Sequence, residues 1–271
     1  MTLEITLLLQ QGWANLWKNK ILWVFSSLVL IDPLIRLFVP IPKYDNLPSA
    51  LSYLALNLFF AYLSFMSSIG ILVVAYCIAI GKPIDIKTAF QSSTNIFWRV
   101  LGVIFLLFII VSPCWVTAFI VSYKQPFQIA DLAHNFFFLT ILLSIFIAVS
   151  YFPVTEMIAN DSKIGKSLKV AWRVFTHNFL VLASIGLGLT LTSYITSTII
   201  SMVTMLAQNS FDFAVLSKLD FISPQLTITN SNLFKLVSTV NRVAWRTFGA
   251  SVFTFAFLKY SGVKMKEHSS S

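Results

Sequence analysis

Apolar residues run along this chain in blocks too long for an ordinary soluble core. Leu, Ile, Val and Phe dominate residues 21–40, 50–80, 100–123, 134–158, 179–206 and 239–260. Each block supplies the roughly 20 residues that a helix needs to cross a bilayer. The pattern predicts an all-α integral membrane protein with six transmembrane helices, a single membrane domain over 1–260 and a tail over 261–271. The second block carries no charge over its whole length, which is longer than a straight crossing requires, so it is expected to tilt, bend or extend past the bilayer. Pro113 and Pro153 fall inside the third and fourth blocks and are the expected kink sites.

The polar positions between blocks have their own periodicity. In KSLKVAWRVFTHNF (166–179), Lys166, Lys169, Arg173 and His177 recur at helical spacing, and so do Leu168, Ala171, Trp172, Phe175 and Phe179. This predicts a two-faced helix over 166–178 lying in the plane of the interface. Its apolar side would sink into the headgroup boundary while its cations meet anionic phosphates. The competing reading makes these residues the ordinary ends of two spans, with Trp in the interfacial belt.

Two further segments share the pattern. GWANLWKNKILW (12–23) precedes the first span and AFQSSTNIFWRVLG (89–102) leads into the third, as AWRVFTHNFLVL (171–182) leads into the fifth. Each opens on a small residue followed by an aromatic: Gly12-Trp13, Ala89-Phe90 and Ala171-Trp172. Each then reaches an asparagine, Asn19, Asn95 or Asn178. The chain therefore reads as three repeated hairpin units, each preceded by an amphipathic cytoplasmic interfacial helix. This recurring small–aromatic segment ahead of paired spans resembles a group of prokaryotic six-span membrane proteins, similar to the membrane domain found beside some glycerophosphodiester phosphodiesterases. The resemblance implies an all-helical membrane fold over nearly the whole chain and carries over no catalytic residue. Six spans leave no room for a phosphodiesterase barrel.

Composition agrees with the pattern. The 271 residues are 57% hydrophobic and 11% charged, less than half the charged share that covers a soluble domain. The net charge of +9 reads as topology rather than nucleic-acid binding, because no basic run tracks a phosphate backbone. Lys18, Lys20, Lys82, Lys87, Arg99, Lys163, Lys166, Lys169, Arg173, Lys259, Lys264 and Lys266 fall on one side of a six-span topology. Lys43, Lys124, Lys218, Lys235 and Arg36 fall on the other. The bias puts both termini in the cytoplasm, and the resemblance implies a prokaryotic cytoplasmic membrane. The run Ile21–Ile31 is followed by Asp32-Pro33 with no small-residue cleavage site, so the first span is expected to be retained.

Charges inside spans are costly and point to structure or function. Asp32 and Arg36 lie one turn apart on the first span, and Arg242 and Arg246 one turn apart on the last. Asp32 is about 18 Å beyond Lys20 and Arg246 about 20 Å beyond Lys259. These counts predict an Asp32–Arg246 pair, or a cluster with Arg36 and Arg242, acting as a clasp between the first and last helices. The functional alternative is a cationic vestibule for an anionic lipid or solute. Glu156 is expected to emerge at the cytoplasmic face, solvated or paired with the 166–173 helix. Ser184, Gly188, Thr192 and Thr196 form a small-residue stripe on the fifth span, expected to pack another helix. Phe211, Val215, Leu216 and Leu219 predict a short helix in the loop over 207–232.

Catalytic and metal chemistry find no sequence support. His134, His177 and His268 are scattered, Cys77 and Cys114 are expected at different depths, and no zinc, nucleophile-elbow or phosphate-loop motif occurs. No cofactor is expected. The leading expectation is a non-enzymatic role in membrane organisation or in handling lipids or other amphipathic molecules. Membrane lipids are its partners, with anionic headgroups meeting Lys166, Lys169, Trp172, Arg173 and His177; a protein partner or homo-oligomer stays open. The alternatives are a small transporter or permease component with a polar interior and, less favoured, an intramembrane lipid-modifying enzyme.

Overall fold

The computed structural model describes residues 2–38, 47–124, 150–208 and 232–262. Every regular element among these residues is helical. In order they are α1 (Thr2–Lys18), α2 (Lys20–Ser27), a 3₁₀ segment (Leu28–Leu30), α3 (Ile31–Phe38), α4 (Leu47–Ala79), α5 (Ile86–Lys124), α6 (150–160), α7 (Ile164–His177), α8 (Phe179–Gln208) and α9 (Asn232–Ser261). Three stretches of the described residues are long and apolar enough to cross a membrane: Ala50–Ala79, Ile86–Ile109 and Phe179–Ile200. The expected fourth span lies outside the described residues except for its end in α6, and so does most of the 207–232 loop.

The segment read as the first span departs from the uniform helix expected over 21–40. It is divided into α2, the 3₁₀ segment and α3. The sequence offers a reason in Pro33, which has no backbone N–H to give an α-helical bond to the turn before it, where the helix tightens over Leu28–Leu30. The segment ahead of the third span also differs. Residues 84–98 form no separate helix, because α5 runs without interruption from Ile86 through Pro113 to Lys124. Its start is set by Asp85, whose Oδ1 accepts the Thr88 backbone N–H at 2.9 Å, the bond expected of an N-cap residue. The Thr88 hydroxyl, and after it that backbone bond, hold the Asp85 carboxyl below its usual range.

The joints ahead of α2 and α8 are locally alike. Asn19 separates α1 from α2, and Asn178 separates α7 from α8. Asn19 Nδ2 donates to the Asn15 carbonyl at 3.2 Å, and Asn178 Nδ2 donates to the Val174 carbonyl at 2.9 Å. Each asparagine carbonyl then accepts the N–H that opens the next helix, from Leu22 and Leu182. An asparagine side chain competes with the helical ladder in this way, which suits it to a break. Asn95 sits inside unbroken α5.

Two cores hold the bundle. One joins Leu8 and Leu16 of α1, Ala79 of α4, Phe152 of α6, Ala171 and Phe175 of α7, Leu182 of α8 and the C-terminal half of α9. The other joins α2, α4 and α5 with Val154 and Met157 of α6. The last helix is central: residues 248–258 are buried without exception. A helix buried on every face must be surrounded by other helices, so its C-terminal half is the axis of the fold rather than one member of a ring. Gly12 allows the closest approach of α1 to this axis, since a Cβ there would collide with the Val252 side chain.

Candidate functional site

The two arginines of the last helix line a groove of about 550 Å³ between α8 and α9. Arg242 and Arg246 stand on one wall, and Thr190, Ser193 and Ser197 on the other. The hydroxyls recur at helical spacing, so α8 turns one face to the groove. Tyr151 of α6 and Phe253 close its inner end with rings stacked at 5.5 Å and 15°. Leu189 and Trp245 supply apolar wall. Two cross-links set the spacing of the helices: Trp245 Nε1 donates to Thr196 Oγ1 at 2.9 Å, and Asn241 Nδ2 donates to Ser197 Oγ at 3.0 Å.

Arg246 is anchored from behind the groove. Its Nη1 and Nη2 donate to the Ser64 Oγ and carbonyl of α4, each at 3.1 Å. Arg242 is exposed and makes no hydrogen bond or ion pair with another described residue. Asp32 is half-buried on α3, a helix that packs against α9, but it is not part of the groove wall. The Arg36 side chain lies outside the described residues.

The depth count that sets Asp32 opposite Arg246 takes Lys20 and Lys259 as level. They are not. Ser26, less than two turns beyond Lys20, meets Thr247, more than three turns before Lys259, with the oxygens 2.5 Å apart. The C-terminal turns of α9 run beside α1 instead, where Lys259 Nζ donates to Glu4 Oε1 at 3.0 Å. That bond holds the Glu4 carboxyl below its usual range.

Of the small-residue stripe of α8 expected to pack another helix, Thr196 meets Trp245 of α9, whereas the other members are not buried against a described helix. Ser184, Gly188 and Thr192 are exposed, and a Cβ on Gly188 would meet nothing within 4 Å. The helix instead turns the neighbouring face, with Thr190, Ser193 and Ser197, toward α9. Glu156 also departs from expectation. It is only 3% exposed, and it does not pair with α7. Its oxygens accept from Asn160 Nδ2 and Ser162 Oγ, both at 2.9 Å. The carboxylate thus ties the turn between α6 and α7 from inside. Arg99 ties the same turn from outside, with Nη2 at 2.6 Å from Asp161 Oδ1, where Asp161 takes a left-handed φ of 47°.

On α7, Ser167, Ala171, Val174 and Phe175 are buried, while Lys166, Lys169, Trp172, Arg173 and His177 are exposed or half-exposed. The same order holds at the related segments: Gly12, Ala89 and Ala171 are buried, and Trp13, Phe90 and Trp172 next to them are 51%, 45% and 60% exposed. Trp17 and Trp98 are exposed as well, at 61% and 76%. Sequence reasoning missed Ser64, Tyr151 and Trp245. Only Trp245 carries a local signal, lying between the two arginines.

Among the described residues no group of three or more His, Cys, Asp or Glu side chains could hold a metal ion. Comparison with protein-family models, with curated proteins and with solved structures yields no match.

Proposed function

We propose that this chain is a multi-pass protein of a prokaryotic cytoplasmic membrane that organises or handles lipid at the cytoplasmic face and catalyses no reaction. In this reading six spans form three hairpin units, both termini are cytoplasmic, and the segments ahead of the spans lie at the interface. The family resemblance of the sequence motifs is part of the same proposal.

One observation carries it: the exposed tryptophans Trp13, Trp17, Trp98 and Trp172 stand beside Lys18, Lys20, Arg99, Lys169 and Arg173. An indole exposed to bulk water wastes its apolar area, whereas the headgroup layer receives both its ring and its N–H. Cations one turn away add attraction to anionic headgroups. The common core of α1, α7 and the C-terminal half of α9, together with the Glu4–Lys259 tie, supports a shared side for both ends of the chain.

The test is reconstitution in vesicles of phosphatidylcholine with and without phosphatidylglycerol, with tryptophan quenching by bromine-labelled lipid. Lys166→Gln/Lys169→Gln/Arg173→Gln removes three cations worth about 1 kcal/mol each near an anionic surface. The triple variant is expected to lower the preference for the anionic lipid by about a hundredfold. Equal quenching in both vesicles, unchanged by the triple variant, would reject the reading.

A further inference from the structure

We infer that the groove between α8 and α9 binds the phosphate headgroup of an anionic phospholipid, whose chains lie against the outer face of α8. This rests on the reading that both helices sit in a bilayer.

The chemistry of the groove is that of a phosphate site. Arg242 and Arg246 bring two guanidinium groups to one wall, one helical turn apart, and no Asp or Glu is among the described residues lining the groove. Arginine presents five N–H donors in a planar fork that matches phosphate oxygens. Arg246 spends donors on Ser64, which fixes its direction and leaves others for a ligand. Arg242, without a hydrogen bond or ion pair to another described residue, has its whole fork available. Arg246 is half-buried, Arg242 is exposed beside it, and no described acidic residue stands on the groove wall, so an anion entering the groove meets two cations without a competing carboxylate. Ser193 faces them from α8, suited to a remaining oxygen of a headgroup, while Thr190 donates to the Gly186 carbonyl and Ser197 accepts from Asn241.

Shape decides between a lipid and a free anion. The volume of about 550 Å³ is in the range of small-molecule sites, roughly 300–1,000 Å³, and far exceeds one phosphate. Leu189, Trp245 and Phe253 provide apolar wall that an inorganic ion would leave bare. On the adjoining surface of α8, Leu191, Ile195 and Ile199 are exposed in a row at helical spacing, a track for acyl chains outside the groove. A headgroup entering sideways places its phosphate at the arginines and its chains on that track.

Native mass spectrometry of the full chain in detergent, titrated with phosphatidylglycerol, phosphatidylcholine and inorganic phosphate, tests this. Wild-type protein is expected to retain one phosphatidylglycerol preferentially. Arg242→Gln is expected to weaken that retention tenfold or more and Arg242→Lys to weaken it less, while the α7 triple variant keeps it. Equal retention by wild type and Arg242→Gln overturns the site. Displacement of the lipid by inorganic phosphate at equal concentration overturns the lipid as occupant. A photoactivatable phosphatidylglycerol needs no variant: label on peptides covering 186–197 and 242–253 supports the site, and label confined to other peptides overturns it. Because the α7 variant reports on the interface and Arg242 on the groove, either can fail alone.

Discussion

Ser26 of α2 and Thr247 of α9 hold their hydroxyl oxygens 2.5 Å apart in a fully buried seam. Each hydroxyl is also within reach of its own helix, Ser26 of the Leu22 carbonyl at 2.6 Å and Thr247 of the Val243 carbonyl at 2.8 Å. Two hydroxyl protons therefore serve three contacts, and one of the two donates across the seam at any moment.

That arrangement limits what the link contributes. After Ser26→Ala, Thr247 keeps its bond to Val243; after Thr247→Val, Ser26 keeps its bond to Leu22. No buried donor is orphaned, so each change is expected to cost about 1 kcal/mol or less, with a coupling of about 0.6 kcal/mol. A double-mutant cycle on thermal unfolding in detergent measures it. Coupling of several kcal/mol would mean that the seam has no such fallback.

Two glycines make opposite predictions. Gly12→Val drives a branched side chain into Val252 and Phe248 on the central helix. It is expected to cost about 1–3 kcal/mol or more, the range for overpacking, and to lower the abundance of folded protein. Gly188→Ala meets open space and is expected to be neutral or to stabilise by up to about 1 kcal/mol through helix propensity. Fluorescence-detected size exclusion of both variants after heating gives the comparison, and equal losses would contradict the packing of α1 on α9.

Acid is expected to loosen the two ends of the chain. Lys259 holds the folded Glu4 carboxyl below its ordinary value of 4.5. A lowered folded value means that the contribution is fully present above the ordinary value. It is lost as pH falls through the lowered one. The unfolding midpoint of wild type is expected to drop on acidification below about pH 4.5, and Glu4→Gln to remove part of that drop. Parallel acid profiles for the two proteins would show that the tie makes no pH-dependent contribution.

Glu156 is expected to matter through Ser162 more than through Asn160. Asn160 is exposed, so water can replace the carboxylate for it, whereas Ser162 is buried. Glu156→Ala leaves the Ser162 hydroxyl short of its acceptor, at a cost of about 1–3 kcal/mol. Glu156→Gln retains an acceptor oxygen and is expected to cost less. Thermal unfolding of the two variants, each also combined with Ser162→Ala, separates this from a general packing loss, because Ser162→Ala is expected to relieve Glu156→Ala in part.

Features set by neighbours along the chain are legible in the amino-acid sequence by itself. The apolar blocks mark the helices at Ala50–Ala79 and Phe179–Ile200, and the third block, read at 100–123, overlaps only the end of Ile86–Ile109. The alternation in KSLKVAWRVFTHNF marks α7, but the asparagine shared by the three segments does not by itself mark a break, since Asn19 and Asn178 stand at joints and Asn95 inside α5. Local hydrogen bonding and desolvation decide such features within a few turns. The tertiary structure alone decides what depends on register between distant helices. Counting turns from Lys20 and Lys259 assumes a common level, and the packing of α1 along α9 removes it. The same packing makes the last helix the buried axis, gives Arg246 its partner on α4, and turns the serines and threonines of α8 beside two arginines. Those relations rest on which side chains fill which gaps, a condition on volume and distance that no single segment carries.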